Sequence, residues 1–133
     1  MVRRTRLSLV VLASALLAST VGISAQTSGL TRTLVGRGDV SVPGREAVVA
    51  RVEVAAGSRA GRHTHPGDEI SYVTEGQVEL LIDGQPPRAV HTGESFIVPA
   101  GVVHDAHNSS ASVARLVGVY VVEKGKPLAS PAP

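Results

Sequence analysis

The sequence predicts an all-β domain, a small barrel or sandwich, on the basis of three observations. Apolar and polar residues alternate over several short segments, which is the period of a strand with one buried face. Glycine, proline and other turn residues separate these segments at short intervals. No stretch after Ala25 has a helical stripe of apolar residues of useful length. Several short strands with turns between them favour a small closed barrel or a sandwich.

The first 25 residues resemble a secretory signal peptide. Three arginines lie within the first six residues, an apolar run follows from Leu7 to Ala18, and small residues lead to Ala25. This order predicts cleavage between Ala25 and Gln26, and therefore a periplasmic or secreted protein with no stable membrane association. The alternative is an uncleaved anchor, because residues 7–25 carry no charge and are just long enough to span a bilayer. Both readings place the domain outside the cytoplasm.

Removal of that segment changes the charge of the protein. The whole chain has 13 Lys+Arg against 11 Asp+Glu, and the loss of the three arginines leaves 10 against 11. A domain this close to neutral gives no reason to expect nucleic acid as a partner. The chain has no cysteine, so it forms no disulfide and offers no thiolate to a metal. Any metal must be held by nitrogen and oxygen.

The secreted part is predicted to begin with an arm and a long strand. Residues 26–44 are broken by four glycines and a proline, and we expect an arm there that can add an edge strand. From Arg45 onwards apolar residues alternate with polar ones, which predicts a half-buried strand. Its inward-facing residues are Val48, Ala50, Val52 and Val54.

The strands that follow are predicted to be shorter, apart from the last. Asp83-Gly84 is a strong hairpin turn between two of them. Residues 124–133 contain three prolines and are expected to form a disordered tail. The predicted ranges of these strands are 70–74, 77–82, 89–91, 95–98 and 113–122.

Two segments carry ligand-type side chains between turns. His63 and His65 are two residues apart, so on a strand both imidazoles face one side. A Pro66-Gly67 turn can bring Glu69 back toward them. His104 follows 35 residues after Glu69 and has to arrive from another strand pair, as happens across the interior of a closed barrel. Three imidazoles and one carboxylate form an open ligand set for one divalent transition metal.

The two segments resemble, position for position, the paired signature motifs of the cupin superfamily, and of a small single-domain microbial cupin in particular. The resemblance covers roughly residues 45–123 and implies a double-stranded β-helix (jelly-roll) barrel over that range. It also implies that the metal lies inside the barrel, bound by His63, His65, Glu69 and His104. The matching positions are Gly57, His63, His65, Glu69 and Gly76 in the first motif and Gly93, Pro99, Gly101, His104 and Asn108 in the second.

The chemistry of this ligand set would be that of the metal. Fe, Mn, Ni, Cu and Zn all accept nitrogen and oxygen ligands, so the sequence does not choose among them. No second acid/base pair accompanies the ligands, which leaves Glu69 as the one group able to change from ligand to catalytic base.

Similar cupins include dioxygenases, isomerases and decarboxylases that act on small oxygenated molecules. We therefore predict a metal-dependent, dioxygenase-like oxidoreductase with a small-molecule substrate. A non-catalytic metal- or ligand-binding cupin and a redox-neutral isomerase or decarboxylase are the alternatives. A homodimer is also expected, because a small barrel leaves sheet edges that a second copy can cover.

Overall fold

The structure is a computed structural model that describes residues 29–133. The predicted signal peptide, residues 1–25, lies outside this range. Within the described range, no helix is long and apolar enough to cross a membrane.

Ten strands make up the regular structure of the described residues. Five of them, β2, β5, β6, β7 and β9, match strands that the alternation predicts to within one residue at each end. The strands are β1 (Leu30–Asp39), β2 (Arg45–Val54), β3 (His63–Thr64), β4 (Gly67–Glu75), β5 (Gln77–Ile82), β6 (Arg88–His91), β7 (Ser95–Val98), β8 (His104–His107), β9 (Ala114–Glu123) and β10 (Ser130–Pro131).

The strands form two five-stranded antiparallel sheets. The order in the first sheet is β1-β2-β9-β4-β7, and in the second it is β10-β3-β8-β5-β6. Most neighbours within a sheet are distant in sequence, because the chain crosses repeatedly from one sheet to the other. This is the double-stranded β-helix arrangement, so the predicted all-β jelly-roll fold is confirmed. The arm contributes the edge strand β1, as expected.

The core lies between the sheets and is built from small aliphatic side chains. The four residues of β2 that were predicted to face inward are buried, as are the alternate residues of β9. Each buried valine contributes about 1.5–3 kcal/mol through removal of its side chain from water. The only buried aromatic residues of the core cluster are Phe96 and Tyr120.

Gly67 allows β4 to start earlier than the predicted residue 70. A Cβ atom at this position would lie 1.9 Å from the carbonyl oxygen of Val121 and 2.6 Å from the Cα of Val122, both on β9. Only glycine permits the two backbones to approach so closely. This contact sets the position of Glu69, two residues further along β4.

Residues 124–133 differ from the disordered tail that the sequence suggests. Leu128 packs against the core, and β10 pairs with β3 at the edge of the second sheet. The three prolines suggested disorder because they cannot donate backbone hydrogen bonds. An edge strand has only one neighbour, however, and tolerates proline where no donor is needed, as at Pro131.

Candidate metal centre

The structure brings the four predicted ligands together between the two sheets. His63 on β3 lies directly opposite His104 on β8 in the second sheet. His65 follows β3, and Glu69 reaches toward the histidines from β4 in the first sheet. One potential ligand atom from each residue lies within 4.8 Å of the others.

The carboxylate of Glu69 lies among the three imidazoles. Its Oε2 atom is 2.9 Å from Nε2 of His65 and 3.1 Å from Nε2 of His104. The ring of His63 lies 4.3 Å from that of His104 and 4.8 Å from that of His65, measured between centroids. His63 is half-buried, and the other three residues are buried.

Backbone carbonyls fix the orientation of all three imidazoles. The Nδ1 atoms of His63, His65 and His104 face the carbonyl oxygens of Gly61 at 2.6 Å, Leu128 at 2.6 Å and Val102 at 2.9 Å. A carbonyl only accepts, so each Nδ1 donates its proton. In a neutral ring the lone pair then lies on Nε2, and the Nε2 atoms of His65 and His104 face the Glu69 carboxylate. Metal-binding histidines are held in this way, by a hydrogen bond from the ring nitrogen that does not bind the metal.

The donor set fits a divalent transition metal. The buried Nε2 atom of His65 has no hydrogen-bond partner among the described residues, although it lies 2.9 Å from the Glu69 carboxylate. That short contact is not aligned as a hydrogen bond, and a lone pair facing a carboxylate oxygen has no attraction to it. A cation bound by both atoms would satisfy them, and imidazole and carboxylate suit Fe, Mn, Ni, Cu or Zn.

Two side chains of the cluster, His63 and Glu69, are in the protonation states that binding of a cation requires. Burial, with the nearby His104 and His65, lowers the pKa of His63 to about 4, so this ring is neutral at pH 7. Burial alone would raise the pKa of Glu69. The contacts with His104 and His65 and the hydrogen bond from Ser71 outweigh burial and hold that pKa below its ordinary range. Glu69 is therefore ionised.

His104 differs from His63 in this respect. Burial would lower its pKa, but the contact of its Nε2 with Glu69 and the carbonyl of Val102 together raise it. A proton on Nε2 of His104 occupies the position that a metal would take, so metal binding would displace it.

Three polar residues that the sequence reasoning missed also line the cavity around the cluster. Ser71 donates from Oγ to Oε1 of Glu69 at 2.6 Å. Tyr120 on β9 lies directly opposite Glu69 on β4. Arg32 on β1 donates from Nε to the Tyr120 hydroxyl at 3.3 Å. The alternation along the strands could have found two of them. Arg32 lies two residues after Leu30 and Ser71 two residues after Glu69, so each shares a face of its strand with that residue.

Gly118 makes room for the Tyr120 ring. A Cβ atom at Gly118 would lie 2.7 Å from the Tyr120 hydroxyl oxygen and 2.9 Å from two ring carbons. Burial, assisted by the charge of Glu69, raises the pKa of Tyr120 to about 12. The hydroxyl is therefore protonated at neutral pH.

The cavity at the cluster is small and adjoins a larger pocket. The inner space, about 20 Å³, is enough for about one water molecule. A neighbouring pocket of about 400 Å³ shares four lining residues with it: Leu30, Arg32, Ala60 and His63. The walls of the inner space include Val52, Leu80 and Phe96.

The remaining two histidines lie away from the cluster. His91 is exposed on β6, and His107 on β8 pairs with Glu79 of β5. Among the described residues, the group of His, Asp or Glu side chains placed to hold a metal is the predicted set of four.

Comparison with known proteins identifies the family. The profile of the cupin domain matches residues 50–122, which is more than half of the chain. The chain is a cupin. The resemblance inferred from the two motifs is thereby confirmed, and the fold agrees with it.

Individual relatives show how widely this domain is used. The chain is 30% identical over 95 residues to the HTH-type transcriptional regulator PuuR of Escherichia coli, an overlap that covers 71% of this chain and 49% of PuuR. It is 31% identical over 111 residues to germin-like protein subfamily 2 member 2 of Arabidopsis thaliana, covering 80% of this chain and 48% of that protein. The chain thus spans about half the length of these curated relatives.

A solved structure agrees with the fold. An uncharacterised protein with a double-stranded β-helix domain from Klebsiella pneumoniae superposes with a TM-score of 0.64 at 21% identity, over 89% of this chain and 99% of that one. At this identity the match supports the fold alone.

Proposed function

We propose that this cupin is a metal-dependent, dioxygenase-like oxidoreductase that acts on a small oxygenated molecule. The observation that carries the proposal is the convergence of three imidazoles and one Glu69 oxygen, with every Nδ1 atom next to a backbone carbonyl oxygen. Four protein ligands leave one or two positions of a transition metal open to a substrate or to dioxygen.

The residues around the cluster would hold the metal and shape its surroundings. His63, His65, Glu69 and His104 would be the ligands, and a bound metal would supply Lewis-acid activation and, if redox-active, electron transfer. Ser71 holds the carboxylate of Glu69 in place. The apolar wall limits the water that reaches the ligands. The role of Glu69 as a base stays a prediction, and the lowered pKa of its carboxyl favours its role as a ligand.

The test of this proposal begins with the metal. Protein isolated from its native compartment is analysed for metal content, and the protein loaded with that metal is screened for oxygen uptake with enols, catechols, flavonols and thiols. We expect one metal ion per chain and oxygen uptake with at least one compound class. His104→Ala should abolish the uptake, and His91→Ala should not. Metal-loaded protein that consumes no oxygen with any of them would contradict the proposal.

A second candidate is a cupin that binds or converts a small molecule without oxygen. It is supported by the match to PuuR, a protein named as a transcriptional regulator, and by the absence of a second acid/base pair among the described residues of the cavity. Turnover under strict anaerobiosis, or ligand binding with no turnover in air, would favour this candidate, whereas turnover that requires oxygen would exclude it.

Two further predictions belong to the same proposal. A periplasmic or secreted location rests on residues 1–25, and fractionation of the native cells would test it. A homodimer is supported by an exposed apolar patch on β4 and β7, where Ile70, Tyr72 and Ile97 are 40%, 48% and 64% exposed. Light scattering that gives the mass of one chain would contradict the dimer.

A further inference from the structure

Arg32 is an unusual residue to find facing the interior of this barrel. It lies opposite Val52 in the β1–β2 ladder, as Leu30 lies opposite Val54, and both valines are buried. Residues directly opposite one another share a face of the sheet, so the Arg32 side chain is directed toward the core. A charged side chain placed there usually has a carboxylate partner.

The guanidinium of Arg32 has no such partner among residues 29–133. No carboxylate of the described part lies in ion-pair range of it, and its one side-chain hydrogen bond runs from Nε to the Tyr120 hydroxyl. The Tyr120 ring lies 5.4 Å below the guanidinium carbon, which holds the group in place by a cation–π contact. These contacts leave the two terminal nitrogens as donors.

Arg62 lines the same outer pocket and provides a comparison. Its Nη1 and Nη2 atoms donate to both oxygens of Asp83 at 2.6 and 2.9 Å, and its Nε donates to the Pro133 carbonyl at 2.6 Å. The charge and the donors of Arg62 are therefore already used. Of the two arginines, Arg32 is the one available to a ligand, and it also reaches the inner cavity.

The charge balance of the site also favours an anion. Glu69 is the only carboxylate among the described residues that line the two cavities. With a divalent metal, three neutral imidazoles and Arg32, one carboxylate leaves the site with a net positive charge. An anion that enters the outer pocket meets Arg32 and His63 before it reaches the other ligands.

We propose that Arg32 is the residue that selects small carboxylates as ligands of this metal centre. A carboxylate would accept hydrogen bonds from the two terminal nitrogens of Arg32, in the fork geometry that this pair favours. The group that enters the inner cavity has to be small, because that cavity has room for about one water-sized group. The inference rests on the proposed metal function and names the chemical class of its ligand.

The experiment measures binding rather than activity. Wild-type protein is loaded with Zn(II), and its affinities for glycolate and for pyruvate are measured by calorimetry. Glycolamide serves as the neutral counterpart of glycolate. We expect both anions to bind more tightly than the amide. Arg32→Gln should weaken anion binding about 10- to 100-fold and leave glycolamide unaffected, and Arg32→Lys should restore part of the loss.

A matched control lies on the same strand. Arg37→Gln removes the same charge from β1, but Arg37 is exposed and paired with Glu46, so its effect on anion binding should be less than twofold. The Zn(II) affinity of every variant is measured first, because a wild-type protein that binds no metal refutes the proposed function itself. Metal-loaded protein that binds neither anion, or binds them equally well with Arg32→Gln, would overturn the assignment of Arg32 alone.

Discussion

The two sheets of this barrel are built differently and contribute different parts of the site. Four strands of the first sheet are nine or ten residues long and pair in extended ladders. The strands of the second sheet have two to six residues. The first sheet supplies Glu69, Ser71, Tyr120 and Arg32, whereas β3, β8 and the residues next to them supply the histidines.

Because of this difference, the stability of the fold and the binding of a metal at the candidate site should depend on different contacts. The long ladders of the first sheet depend on backbone pairing and on the close approach of β4 to β9. The histidines of the second sheet depend on carbonyls of short connections, at Gly61, Val102 and Leu128. Damage to the first sheet should therefore unfold the protein, and damage around the histidines should remove the metal and leave the fold.

The largest effect is expected from Gly67→Ala in the first sheet. The added methyl group would lie 1.9 Å from the Val121 carbonyl oxygen, so β4 and β9 would have to separate. Overpacking of this kind costs at least about 1–3 kcal/mol, and here the backbone itself has to move. We expect little soluble folded protein, or a large fall in the urea midpoint of unfolding.

Gly38→Ala is the matched control, because a Cβ atom there meets nothing within 4 Å and the backbone dihedral is ordinary. It should be neutral or slightly stabilising. If Gly67→Ala is as stable as Gly38→Ala, the contact between β4 and β9 does not fix the first sheet as argued.

The second effect is loss of the metal without loss of the fold, and it is expected from His104→Ala. The substitution removes one of the three imidazoles, the one whose pKa is raised by its contact with Glu69. Metal at 100 times its dissociation constant should stabilise wild-type protein by about 2.7 kcal/mol. The variant should show no such rise in melting temperature and a circular dichroism spectrum like that of the wild type.

His91→Ala is its control, since His91 is exposed on β6 of the same sheet. It should keep the full stabilisation by metal. A His104→Ala variant that still melts higher with metal would show that the cluster is not the metal site, and one that is unfolded without metal would remove the distinction between the two sheets.

The same comparison explains what could be predicted from the sequence. In strands such as β2 and β9, inward-facing residues alternate with outward-facing ones because one face packs on the core. Their positions and their inward-facing residues could therefore be predicted. That three histidines and Glu69 come together was predicted from the spacing of two motifs. The two-residue strands β3 and β10 are too short for any period to appear, and β8, with the sequence HDAH, shows no alternation of apolar and polar residues. Their pairing is decided by tertiary contacts.

The neighbours of the ligands were harder to find. Ser71, Tyr120 and Arg32 occupy inward positions of strands where packing residues are usual. The alternation can place them on the inner face, but nothing in the local sequence separates a role in the site from core packing. The carbonyl of Leu128 could not be found at all, because every residue has one and its partner His65 is 63 positions away.

The third and smallest effect concerns the backbone carbonyl of Leu128. A chain that ends at Gly125 loses β10 and the acceptor for Nδ1 of His65, so the ring is no longer held in one orientation. Loss of such a supporting contact typically weakens metal affinity 10- to 100-fold. The first sheet does not contact β10 in its ladders, so the truncated protein should remain folded.

Leu128→Ala separates the two contributions of this segment. It removes the side chain that packs against the core but keeps the carbonyl, so it should lower the free energy of unfolding with little change in metal affinity. Titration of Zn(II) into the full chain, the truncated chain and this variant makes the comparison. If truncation leaves the affinity unchanged, His65 is oriented by the residues next to it in sequence, and the second sheet depends less on remote contacts than the structure indicates.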